Sequence, residues 1–162
     1  MKVIFLDIDG VLNCRFTKGE VCGFVFVMDS KIELLKQLIE ETGARIVLSS
    51  TWREGFYDMQ KQIQNRNVEL YLALKDKLWE FGLEILDFTP EIVDDNRGAE
   101  IDKWLREWDG EQIESFVILD DISGCYLRPH ASRLVQTSFN EGLKLKHIER
   151  AKLLLSKSMD VY

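Results

Sequence analysis

The sequence has few cysteines, and they are not spaced for a disulfide framework or a zinc site. Three occur among 162 residues, Cys14, Cys22 and Cys125, which is an odd number without a CxxC pair. Sparse, unpatterned cysteine is typical of proteins from a reducing compartment. We therefore expect a cytoplasmic protein with unpaired cysteines.

The chain also lacks a long apolar run and an excess of positive charge. No apolar segment reaches the 18 residues that a membrane-spanning helix needs, so no membrane association is expected. The 28 acidic residues exceed the 21 basic ones, and the formal net charge is −7. This charge disfavours extensive binding to duplex nucleic acid. A nucleic-acid end is still compatible with it as a substrate.

Proline is scarce, and low-complexity linkers are absent. The two prolines, Pro90 and Pro129, fall between periodic segments, where loops are expected. A chain of 162 residues that is 46% hydrophobic can bury one sizeable core. We therefore predict a single domain over residues 1–162.

Short apolar runs alternate with amphipathic helical patterns along the chain. The runs have the length of buried strands, and they cover residues 3–6, 44–48, 83–88, 116–119 and, more weakly, 133–137. This alternation predicts an α/β fold, namely a Rossmann-like three-layer domain with a central, mainly parallel sheet of about five strands. Such sheets place functional residues in loops beyond the carboxyl ends of their strands.

Two capping boxes predict where helices begin. Ser30 with Glu33 precedes an amphipathic stripe, and Thr51 with Glu54 follows the second strand. Gly43 lies where the first of these helices is expected to end. The pattern thus predicts a helix on each side of the second strand.

Reactive side chains follow the predicted strands at the points where they end. They are Asp7 and Asp9 after the first strand, Ser49 and Ser50 after the second, and Asp120 and Asp121 after the fourth, with Arg97 just before the helix that leads into the fourth. If these strands are neighbours, three or four carboxylates converge, and their repulsion requires a divalent cation. Oxygen ligands without a nearby histidine favour Mg²⁺.

Two carboxylates at positions i and i+2 can divide the work of phosphoryl transfer. Asp7 is the predicted nucleophile, which forms an aspartyl-phosphate, and Asp9 is the predicted general acid and base. Hydroxyls of Ser49 and Ser50 suit phosphate oxygens, and Arg97 supplies fixed positive charge. The sequence therefore predicts a Mg²⁺-dependent phosphomonoesterase that acts on a nucleotide, a nucleic-acid end or another phosphomonoester.

Four segments of the chain resemble, in the same order, the motifs of haloacid dehalogenase (HAD) superfamily phosphatases: FLDIDGVLN, IVLSSTWR, RGAEIDKWL and VILDDISG. The resemblance implies that Asp7 is both nucleophile and metal ligand. It also implies that Asp9 binds the metal through its backbone carbonyl and that Asp120 and Asp121 hold the metal. The SSTWR and RGAEI segments are similar to phosphatase domains attached to nucleic-acid repair proteins, including polynucleotide kinase-phosphatases.

The basic residue and the direct metal ligand of the last motif each have two candidates. The superfamily more often has lysine as its basic residue, so Lys103 is an alternative to Arg97 on the same helix. Either Asp120 or Asp121 fits the direct ligand.

The second motif leaves the phosphate contacts open. Ser49 is favoured over Ser50 because it directly follows the apolar strand, and Thr51 is assigned to the capping box. Arg53 fits a contact to phosphate, a contact to a carboxylate of the first loop, or a surface ion pair.

The intervals where HAD phosphatases insert substrate-selecting caps are short here. The first, about residues 13–28, has room only for a flap hairpin, and residues 55–82 have a helical pattern that includes Ile63. We predict a flap and no large cap. Alternatives to the phosphatase are a catalytically silent domain that binds metal or phosphate, and a phosphotransferase; the oligomeric state is not predicted.

Overall fold

A computed structural model describes residues 1–92 and 96–159. Its strands are β1 (Lys2–Leu6), β2 (Glu20–Val21), β3 (Phe24–Val25), β4 (Arg45–Leu48), β5 (Ile85–Phe88), β6 (Ser115–Asp120) and β7 (Leu134–Gln136). Its helices are α1 (Asp29–Thr42), α2 (Glu54–Gln60), α3 (Arg66–Glu80), α4 (Arg97–Glu107) and α5 (Leu145–Leu155). The predicted alternation is confirmed, and the five predicted strands differ from the observed ones by at most two residues at either end.

The central sheet has five parallel strands in the order β5-β4-β1-β6-β7. Strand β1 lies in the middle, and Leu6 is the partner of both Leu48 and Leu119. The ladder continues one residue beyond the strands, since the Asp7 amide donates to the Leu119 carbonyl and the Ser49 amide donates to the Leu6 carbonyl, each at 2.9 Å. The polar residues that follow β1, β4 and β6 therefore lie at one edge of the sheet.

Apolar clusters cover both faces of the sheet, as the short apolar strands predict for a parallel sheet. Ile4 and Leu6 belong to the larger cluster, which α1, α3 and α5 complete, whereas Val3 and Phe5 belong to the cluster built with α4. The predicted three-layer arrangement is thus confirmed, with β1 fully buried between the layers from Val3 to Leu6.

The helix starts differ from the two predicted capping boxes. Helix α1 begins at Asp29, because the Met28 amide is held by the Leu12 carbonyl at 2.8 Å and the chain turns into the helix there, so Ser30 is not its N-cap. After β4, a 3₁₀ turn over Thr51–Arg53 is capped by Ser50, since the turn starts as soon as the strand ends. Gly43 caps α1 in the left-handed conformation, as predicted.

The two cap intervals take the forms that the sequence predicts. Strands β2 and β3 form an antiparallel flap hairpin, and the interval after β4 folds into α2 and α3. These helices touch so closely that a Cβ on Gly55 would overlap the Asn67 carbonyl. Ile63 was wrongly included in their apolar stripe, because it lies between them and is exposed. Among residues 1–92 and 96–159, no separate cap is inserted.

No helix in the described part of the chain has the length and apolar character needed to cross a membrane.

Candidate active site

Three aspartates meet where β1 and β6 end. Carboxylate oxygens of Asp7, Asp120 and Asp121 all lie within 4.8 Å of one another. Asp7 and Asp120 are buried, and Asp121 is half-buried. The neighbouring positions of β1 and β6 in the sheet account for this meeting, because parallel strands end at the same edge. The structure therefore brings together three of the four predicted metal-binding residues through their side chains.

Arg97 is the basic side chain that contacts this cluster. Its Nη1 donates to Asp120 Oδ2 at 2.8 Å and to Asp7 Oδ1 at 3.3 Å. It is the first residue of α4, whose next residue, Gly98, lies so close to the Arg128 carbonyl that a Cβ would overlap it. This close packing fixes the start of α4 at the edge of the site. Lys103 lies six residues further along the same helix.

The carboxylates carry more negative charge than one guanidinium balances. Burial is the main cause that raises the pKa of Asp7 to about 6, and Asp120 raises it further, whereas Arg97 and the Ser50 hydroxyl oppose the rise. Burial also raises the pKa of Asp120 and of Asp121. These raised pKa values show that three ionised carboxylates are unfavourable here without a further cation.

The loop after β1 folds back against β6 and β7. Gly10 has a φ of 74°, and a Cβ there would overlap the Asp121 carboxylate. Its carbonyl accepts a hydrogen bond from Thr137 Oγ1 at 2.6 Å, and its amide donates to Asn13 Oδ1 at 2.9 Å. Only glycine combines this backbone conformation with this close approach, so Gly10 keeps the loop packed against the aspartate cluster.

The Asp9 carboxylate is held apart from the cluster. It is exposed, and it accepts hydrogen bonds from Asn13 Nδ2 at 2.8 Å and from Trp52 Nε1 at 2.9 Å. Its predicted contact to a metal runs through the backbone carbonyl and stays a prediction. The side chain thus lies outside the cluster of Asp7, Asp120 and Asp121, and two neutral donors bind it.

The two serines after β4 are fully buried. The Ser50 hydroxyl accepts a hydrogen bond from the Trp52 amide, and it also lowers the pKa of Asp7. The Ser49 hydroxyl has no hydrogen-bond partner within residues 1–92 and 96–159. A buried hydroxyl without a partner is costly, and a phosphate oxygen is one group that would satisfy it. Both serines stay predicted phosphate contacts.

Arg53 is buried beneath the same loop. Its Nη1 donates to the carbonyls of Ser49 and Ser50 at 3.2 and 2.9 Å, and its Nη2 pairs with Glu100 Oε1 at 2.5 Å. Arg53 therefore forms an ion pair, which was one of its three predicted roles, but the pair is buried rather than on the surface. Glu100 Oε2 also lies 3.7 Å from Arg97 Nε, so one glutamate contacts both arginines. A contact of Arg53 to phosphate stays a prediction.

Sequence reasoning missed three residues that shape the site, although each lies inside a segment quoted above. Asn13 and Trp52, which bind Asp9, belong to FLDIDGVLN and IVLSSTWR. Glu100 follows Arg97 by three residues and precedes Ile101 on the buried stripe of α4. An acidic residue on an apolar helical stripe signals a buried ion pair, and this signal was available in the sequence.

Comparison with models of known protein families gives a match over most of the chain. A family model described as "HAD domain in Swiss Army Knife RNA repair proteins" matches residues 3–148, a range that includes all the site residues above. No curated protein and no solved structure matches the chain.

Proposed function

The chain belongs to the family of HAD domains in Swiss Army Knife RNA repair proteins, and on this premise we propose that it is a Mg²⁺-dependent phosphomonoesterase with Asp7 as its nucleophile. Family membership supports a phosphatase-type hydrolase. The observation that carries the finer proposal is the cluster of Asp7, Asp120 and Asp121, whose oxygens lie within 4.8 Å of one another with one guanidinium beside them. A surplus of buried carboxylates at the end of parallel strands suits a divalent cation and a phosphate.

The donor set fits magnesium in its chemistry. Asp7, Asp120 and Asp121 offer only carboxylate oxygens, which are the ligands that this hard cation prefers. The backbone carbonyl of Asp9 is proposed as a fourth ligand. When bound, the ion would neutralise charge on the carboxylates and on the transferring phosphoryl group.

In the first step, an Asp7 carboxylate oxygen attacks phosphorus as the ester P–O bond breaks. The leaving oxygen takes a proton from the Asp9 carboxyl group, so an alcohol departs and an aspartyl-phosphate remains. In the second step, a water oxygen attacks the same phosphorus as the bond between phosphorus and the Asp7 oxygen breaks, and a proton of the water goes to the Asp9 carboxylate. Inorganic phosphate is released, and both aspartates return to their starting states.

Arg97 and the serine hydroxyls are proposed to bind the phosphoryl oxygens. The Arg97 guanidinium already reaches two carboxylates of the cluster, and a planar guanidinium also pairs well with phosphate. The unpartnered Ser49 hydroxyl and the Ser50 hydroxyl beside Asp7 lie at the end of the neighbouring strand β4. Arg53 is proposed to hold both serines in place, because its guanidinium donates to their backbone carbonyls.

The proposed substrate is a phosphorylated nucleotide or nucleic-acid end. The RNA repair context of the family supports this class. A short flap in place of a cap leaves room for a substrate larger than a metabolite. The formal charge of −7 argues that contacts concentrate at the phosphorylated end rather than along a duplex. We propose that the domain acts as a single unit in the cytoplasm.

The test measures phosphate release from a panel of nucleotides, 3′- and 5′-phosphorylated oligonucleotides and small phosphomonoesters, with Mg²⁺ or with EDTA. We expect metal-dependent turnover that Asp7→Asn abolishes. Asp29→Asn, at an exposed aspartate on α1, is the matched control and keeps full activity. Absence of Mg²⁺-dependent turnover on the whole panel, or full activity of Asp7→Asn, contradicts the proposal. Transfer of the phosphoryl group to an added alcohol in preference to water indicates a phosphotransferase.

A further inference from the structure

We propose that Trp52 and Asn13 are positioning residues that hold the Asp9 carboxyl group in the orientation for proton transfer and link it to the flap. The inference rests on the proposed role of Asp9 as general acid and base, and it adds the residues on which that role depends. Neither residue touches the cluster of Asp7, Asp120 and Asp121 in the contacts described above.

Asp9 needs such support because it is an exposed side chain on a loop. An exposed aspartate ordinarily samples several rotamers, whereas a general acid must stay within hydrogen-bond reach of the leaving oxygen. Here Asn13 Nδ2 binds Oδ1 at 2.8 Å and Trp52 Nε1 binds Oδ2 at 2.9 Å. One donor on each oxygen fixes the rotation of the carboxyl group. Each oxygen keeps a second lone pair that can carry the transferred proton.

The two donors are themselves fixed. Asn13 is fully buried, and its Oδ1 accepts the Gly10 amide at 2.9 Å. Trp52 is 6% exposed, and its amide is capped by the Ser50 hydroxyl. Asn13 cannot turn without losing its bond to the Gly10 amide, and burial restricts the Trp52 ring on a backbone that Ser50 holds. The two side chains therefore form a clamp around the Asp9 carboxyl group.

Both donors also contact the flap. Asn13 Nδ2 donates to the Val25 carbonyl at 3.2 Å, and the Trp52 ring stacks on Phe26 with centroids 6.2 Å apart and an interplanar angle of 17°. A displacement of residues 25–26 therefore shifts the two groups that orient Asp9. The position of the flap thus affects the orientation of the proposed general acid, Asp9.

Two substrates with different leaving groups can distinguish a role in positioning the acid from a role in protein stability. A p-nitrophenolate leaves without protonation, whereas a primary alkoxide needs the proton of Asp9. The quantity to compare is kcat/KM, because it covers the steps up to departure of the leaving group and excludes hydrolysis of the aspartyl-phosphate.

The experiment measures kcat/KM of Trp52→Phe for p-nitrophenyl phosphate and for a primary alkyl phosphate, with Mg²⁺. A hydrogen bond to a carboxylate is worth one to two powers of ten, so we expect about a 10- to 100-fold loss on the alkyl phosphate. The loss on p-nitrophenyl phosphate should stay below about threefold, because that reaction does not use the acid. Equal losses on both substrates, or none on either, overturn the proposal.

Trp104→Phe is the matched control. Trp104 is 4% exposed and donates its Nε1 to Asp87 Oδ2 at 2.7 Å, so it resembles Trp52 in burial and in partner but does not contact Asp9. Its substitution should not change the ratio between the two substrates. If Trp52→Phe fails to fold, Asn13→Ala tests the same point, because it removes the other donor to Asp9 and the ratio between the two substrates does not depend on how much of the enzyme is folded.

A second pair of variants tests the contact between Trp52 and the flap. Phe26→Ala removes the ring on Trp52 and should show the same selective loss on the alkyl phosphate, while Phe16→Ala, at an exposed aromatic residue, should not. Equal ratios in both variants contradict the link.

Asp9→Asn distinguishes failure of this inference from failure of the proposed function. If Asp9→Asn is selective for the alkyl phosphate and Trp52→Phe is not, the clamp is wrong and the acid stands. If Asp9→Asn shows no selectivity, the proposed role of Asp9 is wrong, and the clamp falls with it.

Discussion

Arg53, which is buried, and Arg97, which is half-buried, lie beside the same glutamate but face different amounts of charge. Arg53 pairs with Glu100 and binds two backbone carbonyls, so its surroundings contain one carboxylate for one guanidinium. Arg97 contacts Asp7 and Asp120 as well as Glu100. The charge of Arg53 is balanced by one carboxylate, whereas the carboxylates around Arg97 outnumber its single guanidinium.

This difference in charge balance distinguishes an arginine that supports the structure from one that lies in the proposed reaction site. A balanced buried pair stabilises a loop and has no use for a further ion. An unbalanced cluster holds carboxylates in an unfavourable state, as the raised pKa values of Asp7, Asp120 and Asp121 show. Such strain is typical of sites that bind a cation or a reacting group. The following predictions test this distinction.

Arg53→Met should produce the largest loss of stability. It removes the 2.5 Å ion pair to Glu100 and the donor to two buried carbonyls, and breaking a buried ion pair costs about 3–5 kcal/mol. Urea denaturation measures the free energy of unfolding. Arg45→Met, at an exposed arginine on β4, is the control and should change it by no more than about 0.5 kcal/mol. Equal stability of the two variants would remove Arg53 from its supporting role.

Arg97→Met should lower the enzymatic activity but leave the protein folded. Removing one fixed donor to a reacting group lowers the rate by about 10²–10³-fold, so we expect a loss of that size in kcat/KM with Mg²⁺. Circular dichroism at the assay temperature checks that the variant is folded. A folded variant with wild-type kcat/KM would show that Arg97 serves the structure alone, as Arg53 does.

The charge surplus also predicts how stability depends on pH in EDTA. The pKa of Asp7 is raised in the folded state to about 6, from 3.8, so the folded protein binds the proton more tightly than the unfolded chain. Its contribution to stability is therefore favourable below pH 4 and is lost as pH rises towards 6. Relative to wild type, Asp7→Asn should gain about 2–3 kcal/mol between pH 4 and pH 7.

Thermal or urea unfolding of both proteins across this range provides the measurement. Mg²⁺ at pH 7 should stabilise the wild type and reduce or reverse the advantage of Asp7→Asn, because the variant lacks a ligand. A pH-independent difference between the two proteins would contradict the raised pKa.

Lys103→Met should have the smallest effect. Lys103 was the alternative basic residue, whereas Arg97 is the side chain that the structure places on Asp7 and Asp120. We expect kcat/KM and the free energy of unfolding to stay near wild type, the latter within about 0.5 kcal/mol. A large fall in kcat/KM with unchanged stability would return the basic role to Lys103.

Local patterns in the sequence were sufficient to predict the fold and where in it most residues of the candidate site lie. Apolar runs mark β1, β4 and β6, and the rule that functional residues follow parallel strands leads directly to Asp7 and Asp120. The strand order itself then brings the two aspartates together. These inferences succeed because strand length and helical spacing are properties of neighbouring residues.

The partners in the contacts that support the site could not be predicted in this way. Arg53 and Glu100 are 47 residues apart, and Trp52 binds Asp9 across 43 residues. Their pairing depends on how α4 and the turn after β4 pack against the sheet, which no local pattern encodes. The assignment of Thr51 as a helix cap failed for a related reason, since the turn begins at the strand end and Ser50 caps it.

The most direct test of the account is whether a phosphoryl group forms on Asp7. Asp9→Asn, which should slow hydrolysis of the intermediate, is mixed with p-nitrophenyl phosphate and Mg²⁺, quenched in acid and mapped by mass spectrometry. We expect one phosphoryl group on the peptide that contains Asp7. It should be absent in EDTA and absent in the double variant that carries both Asp7→Asn and Asp9→Asn. Turnover by the wild type together with a phosphoryl group on another residue would contradict it.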